Sequence, residues 1–182
     1  IYIEPVKVVT GQYYLDLPGR DGRNEGTGFL SPTPQVTVTI PATSSKLLSI
    51  GAYDSKMQSY ADFSGRGYAD SKRTIGVVTA GLVKPDIAAP GVDIIAPQMT
   101  GTGSGYAAFS GTSFATPIVS GSAALFMEWG IVRRNDPFLY GEKIKAYLRA
   151  GARALRGEKE YPNDRVGYGA LCVSQSFAKN GI

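Results

Sequence analysis

Apolar and polar residues alternate most strictly at Gln35-Val36-Thr37-Val38-Thr39-Ile40. A period of two sets one face against a core and predicts a half-buried strand, ended here by Pro41. Upstream, Ile1-Tyr2-Ile3 and Val6-Lys7-Val8-Val9 are β-branched and aromatic runs, and residues 12–17 alternate in part. Thr10-Gly11 and Pro18-Gly19-Arg20-Asp21-Gly22 punctuate them as turns. Residues 1–42 therefore read as β-rich. A start on Ile-Tyr-Ile without a polar lead-in reads as a start inside a sheet, and the chain as part of something longer.

The pattern changes near residue 43. Lys46-Leu47-Leu48-Ser49-Ile50-Gly51-Ala52 predicts a short buried strand. Residues 53–83 are loop-rich, with a strand expected at Val77-Val78. Pro85-Asp86-Ile87-Ala88-Ala89 predicts another strand, closed by Pro90-Gly91. Residues 92–96 read as extended, and residues 100–105 as the Gly/Ser/Thr tip of a hairpin returning through 106–109. Residues 112–129 form the most apolar segment. Phe114, Ile118, Leu125 and Trp129 recur at helical spacings, and the segment is apolar nearly all round, which predicts a buried helix. Gly121, Ser122, Ala123 and Ala124 are small enough for close approach to a sheet. A second helix is expected from Asp136 as N-cap and Pro137 as first residue to Ala150, stopped by Gly151. Its apolar face is Leu139, Tyr140, Ile144, Tyr147 and Leu148, with Lys143, Lys145 and Arg149 facing water. Residues 167–177 read as a short closing strand and turn.

Composition narrows the chemistry. The 182 residues suit one domain, or one and a fraction. The 23 glycines and 11 prolines mean many tight turns. One cysteine excludes an internal disulfide, a zinc ribbon or an iron–sulfur site, and suits either redox compartment. The absence of histidine removes the commonest metal ligand and general base. The net charge of +4 is scattered, with Lys72-Arg73 and Arg133-Arg134 the densest runs, so no nucleic-acid partner is expected. No run of 18 apolar residues is present, so no membrane span is expected. The first residues lack the basic head and cleavage site of a signal peptide. Asp54, Asp62 and Asp70 lack the spacing of a calcium loop, and Gly101-Thr102-Gly103-Ser104-Gly105 is not a phosphate-binding fingerprint. No cofactor and no metal is expected.

The chemical signal lies in Phe109-Ser110-Gly111-Thr112-Ser113-Phe114-Ala115-Thr116-Pro117. The first N–H groups of a helix lack internal partners, and the dipole there favours negative charge. A serine at that point can attack a carbonyl while its own N–H steadies the oxyanion. The residues alone also allow a plainer role, with Thr112 and Ser113 capping the helix.

Gly111-Thr112-Ser113-Phe114-Ala115-Thr116-Pro117, followed by Gly121 and Ala123-Ala124-Leu125, resembles the serine motif of subtilisin-like serine proteases. Lys84-Pro85-Asp86-Ile87-Ala88-Ala89-Pro90-Gly91-Val92 is similar to that family's strand and loop before the nucleophile. Ser49-Ile50-Gly51-Ala52 with Phe63-Ser64-Gly65-Arg66-Gly67, and Gly167-Tyr168-Gly169, resemble two further blocks in the same order. The resemblance implies a serine endopeptidase with Ser113 as nucleophile. It implies an α/β fold, with a partial, mainly parallel sheet and a buried nucleophile helix over residues 43–182. Residues 1–42 resemble the last strands of the inserted antiparallel β-rich, jelly-roll-like domain of the branch that includes spore-germination proteases. That branch implies a bacterial, extracytoplasmic or spore-associated setting. The family's triad Asp and His and its oxyanion Asn belong to motifs that precede these blocks. The partners implied are a peptide or protein substrate and an N-terminal half of the same protein carrying those three residues. The chain by itself is expected not to turn over peptide.

Three alternatives remain open at this level. One is a catalytically inactive protein, either a relative acting in binding or regulation or a β-domain interaction module that retains a protease-like core. Another is a carboxylate-based site like that of the sedolisin relatives, and a third is a Ser–Lys dyad with Lys143. Asp86 reads as a structural hydrogen-bond acceptor, Cys172 as a buried inert thiol, and Trp129 as core. The 101–105 loop and Phe114 are expected beside the substrate cleft.

Overall fold

The computed structural model describes residues 4, 6–8, 15–17, 22, 24–67, 83–100 and 103–182. The strands expected at Ile1-Tyr2-Ile3 and Val77-Val78 lie outside the described residues. The element order is β1 (Ile50–Asp54), β2 (Ser59–Tyr60), β3 (Ile87–Pro90), β4 (Ile94–Thr100), β5 (Gly103–Phe109), α1 (Thr112–Met127), α2 (Gly141–Ala150) and α3 (Val173–Lys179).

The centre is a small mixed sheet in the order β2-β1-β3. β1 and β3 run parallel, with Ile50 opposite Ile87 and Tyr53 opposite Pro90, while β2 is antiparallel to β1. Residues 168–171 close the far edge of β3. The Ala88 N–H donates to Gly169 O at 2.9 Å, and the Leu171 N–H donates to Ala88 O at 2.8 Å. Gly167 makes this possible. Its φ is +57°, and a Cβ there would lie 2.2 Å from the Pro85 carbonyl oxygen. β4 and β5 form a separate antiparallel hairpin, in register from Ile94–Phe109 to Thr100–Gly103. Its place matches the turn expected at 100–105.

α1 packs on one face of the sheet through Ala115, Val119, Ser122 and Phe126. Phe126 stacks on Phe177 of α3 at 4.1 Å between centroids, and Trp129 meets Phe177 edge-on at 6.2 Å. Leu139, Ile144 and Leu148 of the α2 region complete the core with Ala52, Ile87 and Ala89.

Several expectations need correction. Residues 35–40 form no strand. Val36 has φ +56°, and the N–H groups of Thr37 and Val38 both go to Arg66 O. A strand needs a neighbour that supplies alternate acceptors, and one carbonyl cannot do so. The buried strand expected from Lys46 starts only at Ile50, because the Leu47 carbonyl is taken by two lysine side chains. α2 starts at Gly141 and not at Pro137, since the Asp136 carboxylate is engaged by Lys143 and its carbonyl accepts the Leu139 N–H in a turn. Residues 173–179 are helical, so the closing strand ends before them. α1 is not buried all round: Gly121, Ala124 and Leu125 are exposed. It runs on through wider π-helical turns over Glu128–Val132. The combined Thr112–Val132 segment, with mean hydropathy 1.2, is long and apolar enough to cross a membrane by length and composition. Here it packs on the sheet and carries the Ser113 turn.

Lys145 and Arg149 do not face water. Both turn inward to Asp86, which is fully buried. Lys84 Nζ lies 3.0 Å and Lys145 Nζ 2.8 Å from the two Asp86 oxygens, and the Arg149 guanidinium pairs with the same carboxylate. The Ser49 N–H also donates to Asp86, at 2.6 Å. Lys145 donates further to the Ser45 and Leu47 carbonyls, and Arg149 lies over the Tyr168 ring at 4.7 Å. Asp86 is the structural acceptor expected from its place in the strand, and it ties α2, β3 and the entry to β1 together.

Burial lowers the Lys145 pKa from 10.5; Lys84 and Arg149 add to the shift and Asp86 opposes it. Between the lowered folded value and 10.5 the unfolded chain binds more protons. The Lys145 contribution to stability is therefore weakest at neutral pH and grows as pH rises through that window. Urea unfolding at stepped alkaline pH should show this slope, and Lys145→Met should remove it.

Candidate active site

The nucleophile turn is built where β5 ends and α1 begins. Gly111 is the N-cap of α1, and no side chain caps the helix. Thr112 and Ser113 are therefore its first two residues, and neither hydroxyl serves as the cap that the sequence allowed. Ser113 is exposed. The Phe114 N–H returns to Gly111 O at 3.1 Å, so the open donors at the helix mouth are those of Thr112 and Ser113. Pro117 lies in the second turn and has no N–H to give to the Ser113 carbonyl.

Two hydrogen bonds fix this turn to the loop after β3. The Gly111 N–H donates to Gly91 O at 2.8 Å, and the Asp93 N–H donates to Ser110 Oγ at 3.0 Å. The loop itself leans on β1, since the Gly91 N–H donates to Tyr53 O at 3.1 Å. Gly91 has no room for a side chain, because a Cβ would lie 2.7 Å from Ala52 Cβ. Asp93 adopts φ +53° and pairs with Lys56 at 3.0 Å. Beside the serine, Phe114 stacks on Phe109 of β5 with centroids 5.0 Å apart and planes 10° apart. Both rings are half-buried. Residues 101 and 102 of the expected cleft loop lie outside the described residues.

The rest of a triad is not built from the described residues. The chain has no histidine. Asp86 is enclosed by its three cations, and Lys143 is held by Asp136, which raises its pKa. What the site offers is an exposed hydroxyl beside backbone donors that have no partner among the described residues, a geometry suited to attack on a carbonyl and to steadying negative charge.

Along α1 from Thr116 to Met127 lies an apolar groove of about 340 Å³. Leu48, Ile50, Val119, Ala123 and Ile144 line it, with Lys46 and Lys145 among its polar residues.

Cys172 is half-buried, not buried as expected. A hydrogen bond with Ser174, at 3.5 Å, and one from the Gln175 backbone lower its pKa from 9.0. Its alkylation by iodoacetamide should therefore reach half-maximal rate below pH 9.0, and Ser174→Ala should move that midpoint upward.

An exposed serine opens the helix that packs on the α/β sheet, and the chain's likeness to known proteins shows its family. Residues 24–169 match the model of the subtilase family, Peptidase S8. The chain belongs to the subtilase family, as the serine motif implied. Serine protease AprX of Bacillus subtilis is 32% identical over 157 residues, which cover 80% of this chain and 32% of that protein. The structure of the Clostridium perfringens CspB protease aligns with a TM-score of 0.73 at 43% identity, covering 86% of this chain and 31% of that one. The prenylagaramide maturation protease PagA aligns with a TM-score of 0.57 at 34% identity, covering 77% of this chain and 44% of that one. The chain thus spans about a third of the length of AprX.

Proposed function

We propose that this chain carries the nucleophile half of a serine endopeptidase, which hydrolyses a peptide or protein substrate through an acyl-enzyme on Ser113. The observation that carries this reading is the exposed Ser113 hydroxyl beside uncapped α1 donors. The hydroxyl attacks the scissile carbonyl, and its proton passes to a base and then to the leaving amine. The Ser113 N–H faces the developing oxyanion. The base, its orienting carboxylate and a side-chain oxyanion donor come from a segment outside these residues, in an N-terminal half of the same protein. Support for that partner comes from the apolar groove and from the exposed Gly121-Ala124-Leu125 side of α1, which the described fold leaves uncovered. Residues 1–42 are read, on sequence resemblance, as the end of an inserted β-rich domain, while their described part forms no strand. Placement in the branch with spore-germination proteases rests on the sequence blocks quoted above.

A fluorophosphonate reagent tests the reading. In the polypeptide as the cell makes it, the label should attach to Ser113, and residues 1–182 alone should not turn over peptide. A whole protein that holds the Asp and His and still resists the label would be a binding or regulatory relative.

A further inference from the structure

Ser110 has no part in the acyl-transfer chemistry, yet its hydroxyl is the only side-chain group seen among the described residues to bridge the nucleophile turn and the 91–93 loop. Its bond to the Asp93 N–H, at 3.0 Å, sits beside the backbone bond from the Gly111 N–H to Gly91 O, at 2.8 Å. The Ile94–Phe109 pair fixes where β5 ends, and beyond it the Gly111 bond alone leaves the turn an axis about which to tilt. Two bonds on adjacent residues, 110 and 111, fix its direction. The far side of the bridge is itself held. Gly91 is wedged against Ala52 and hydrogen-bonded to Tyr53 O, and Asp93 is paired to Lys56 in the β1–β2 turn. Asp93 also sits at φ +53°, a conformation of non-glycine backbone that needs support from its surroundings. The Ser110 bond supplies such support at the Asp93 N–H.

We infer that Ser110 is a positioning residue: its hydroxyl, by accepting the Asp93 N–H, sets the angle at which the turn presents Ser113 to a bound carbonyl. The inference rests on the proposed acyl transfer and names a residue that tunes it. Acyl transfer needs the oxygen and carbonyl carbon aligned before reaction, so a tilted turn slows the attack more than it weakens substrate binding. Ser110 is exposed, so its truncation leaves the core intact.

The test compares Ser110→Ala and Ser110→Thr with the natural sequence in the polypeptide as the cell makes it. Fluorophosphonate labelling rate, kcat, KM and amide exchange at Asp93 are read together. Ser110→Ala should lower the labelling rate and kcat by about 10-fold or more, leave KM within about twofold, and speed exchange at Asp93. Ser110→Thr keeps a hydroxyl and should recover most of the loss. A natural protein that labels while Ser110→Ala labels as fast overturns the inference and leaves the proposed function standing. A loss that Ser110→Thr does not recover, or that appears in KM, also overturns it. A natural protein that does not label removes the proposed function and this inference with it.

Discussion

Ser113→Ala should lower peptide hydrolysis by the whole protein on the order of a millionfold in kcat, the scale reached when a serine triad loses its nucleophile. KM should change little. The lost atom makes its bond in the transition state, whereas substrate binding spreads over many contacts. The fold should be unaffected, because Ser113 is exposed, and its hydroxyl neither caps α1 nor fills the core. The residual rate would come from the backbone donors at the helix mouth, which the substitution leaves in place. Kinetics on the purified variant, with its unfolding midpoint as control, check this. A variant that keeps more than a few per cent of the natural rate would show that Ser113 is not the nucleophile.

The second large effect concerns stability. Asp86→Asn removes the carboxylate that Lys84, Lys145 and Arg149 share in the core. Breaking one buried ion pair costs about 3–5 kcal/mol, because the surviving charge stays out of water without a partner. Three cations face Asp86, so the loss should reach at least that range. For a chain of this size it corresponds to a fall of roughly 6–20 °C in Tm. Lys84→Met should be milder, since Asp86 keeps two cations and the buried excess of positive charge shrinks. If Asp86→Asn unfolds no more easily than Lys84→Met, the carboxylate is not the organising charge. The effect reaches the site indirectly. Asp86 fixes the start of β3, and the loop after β3 holds Gly111 and Ser110.

The subtilase family, the α/β fold and the β3, hairpin and α1 segments were legible because each depends on short-range pattern. Pro90-Gly91 ends a strand whatever surrounds it, and Gly111-Thr112-Ser113 begins a helix by local geometry. Gly151 stopped α2 as expected, for the same local reason. The misplaced features share a different origin. Lys145 and Arg149 sit where an amphipathic pattern assigns solvent, and only the buried Asp86, brought up from 63 residues away in the case of Arg149, turns them inward. The early start given to α2 followed from Asp136-Pro137, and the competing pull of Lys143 on the Asp136 carboxylate was not visible in the local sequence. Residues 35–40 had the alternation of a strand but no sheet neighbour among the described residues to pair with. Ser110 carried no signal, since its role depends on Asp93, which arrives across a hairpin.

The amino-acid order by itself marked the subtilase family through its serine motif, and through that resemblance it pointed to Ser113 as the proposed nucleophile. It also showed that no histidine is encoded in these 182 positions, so a histidine base for the proposed acyl transfer has to come from outside them. Only the tertiary structure decided that the hydroxyl is open and not a cap, that two bonds from the loop before β4 hold its turn, and that three cations close around one carboxylate. Helix mouths and turns are set by a few adjacent torsions. Charge pairing and turn orientation are set by segments that meet only after the chain has folded.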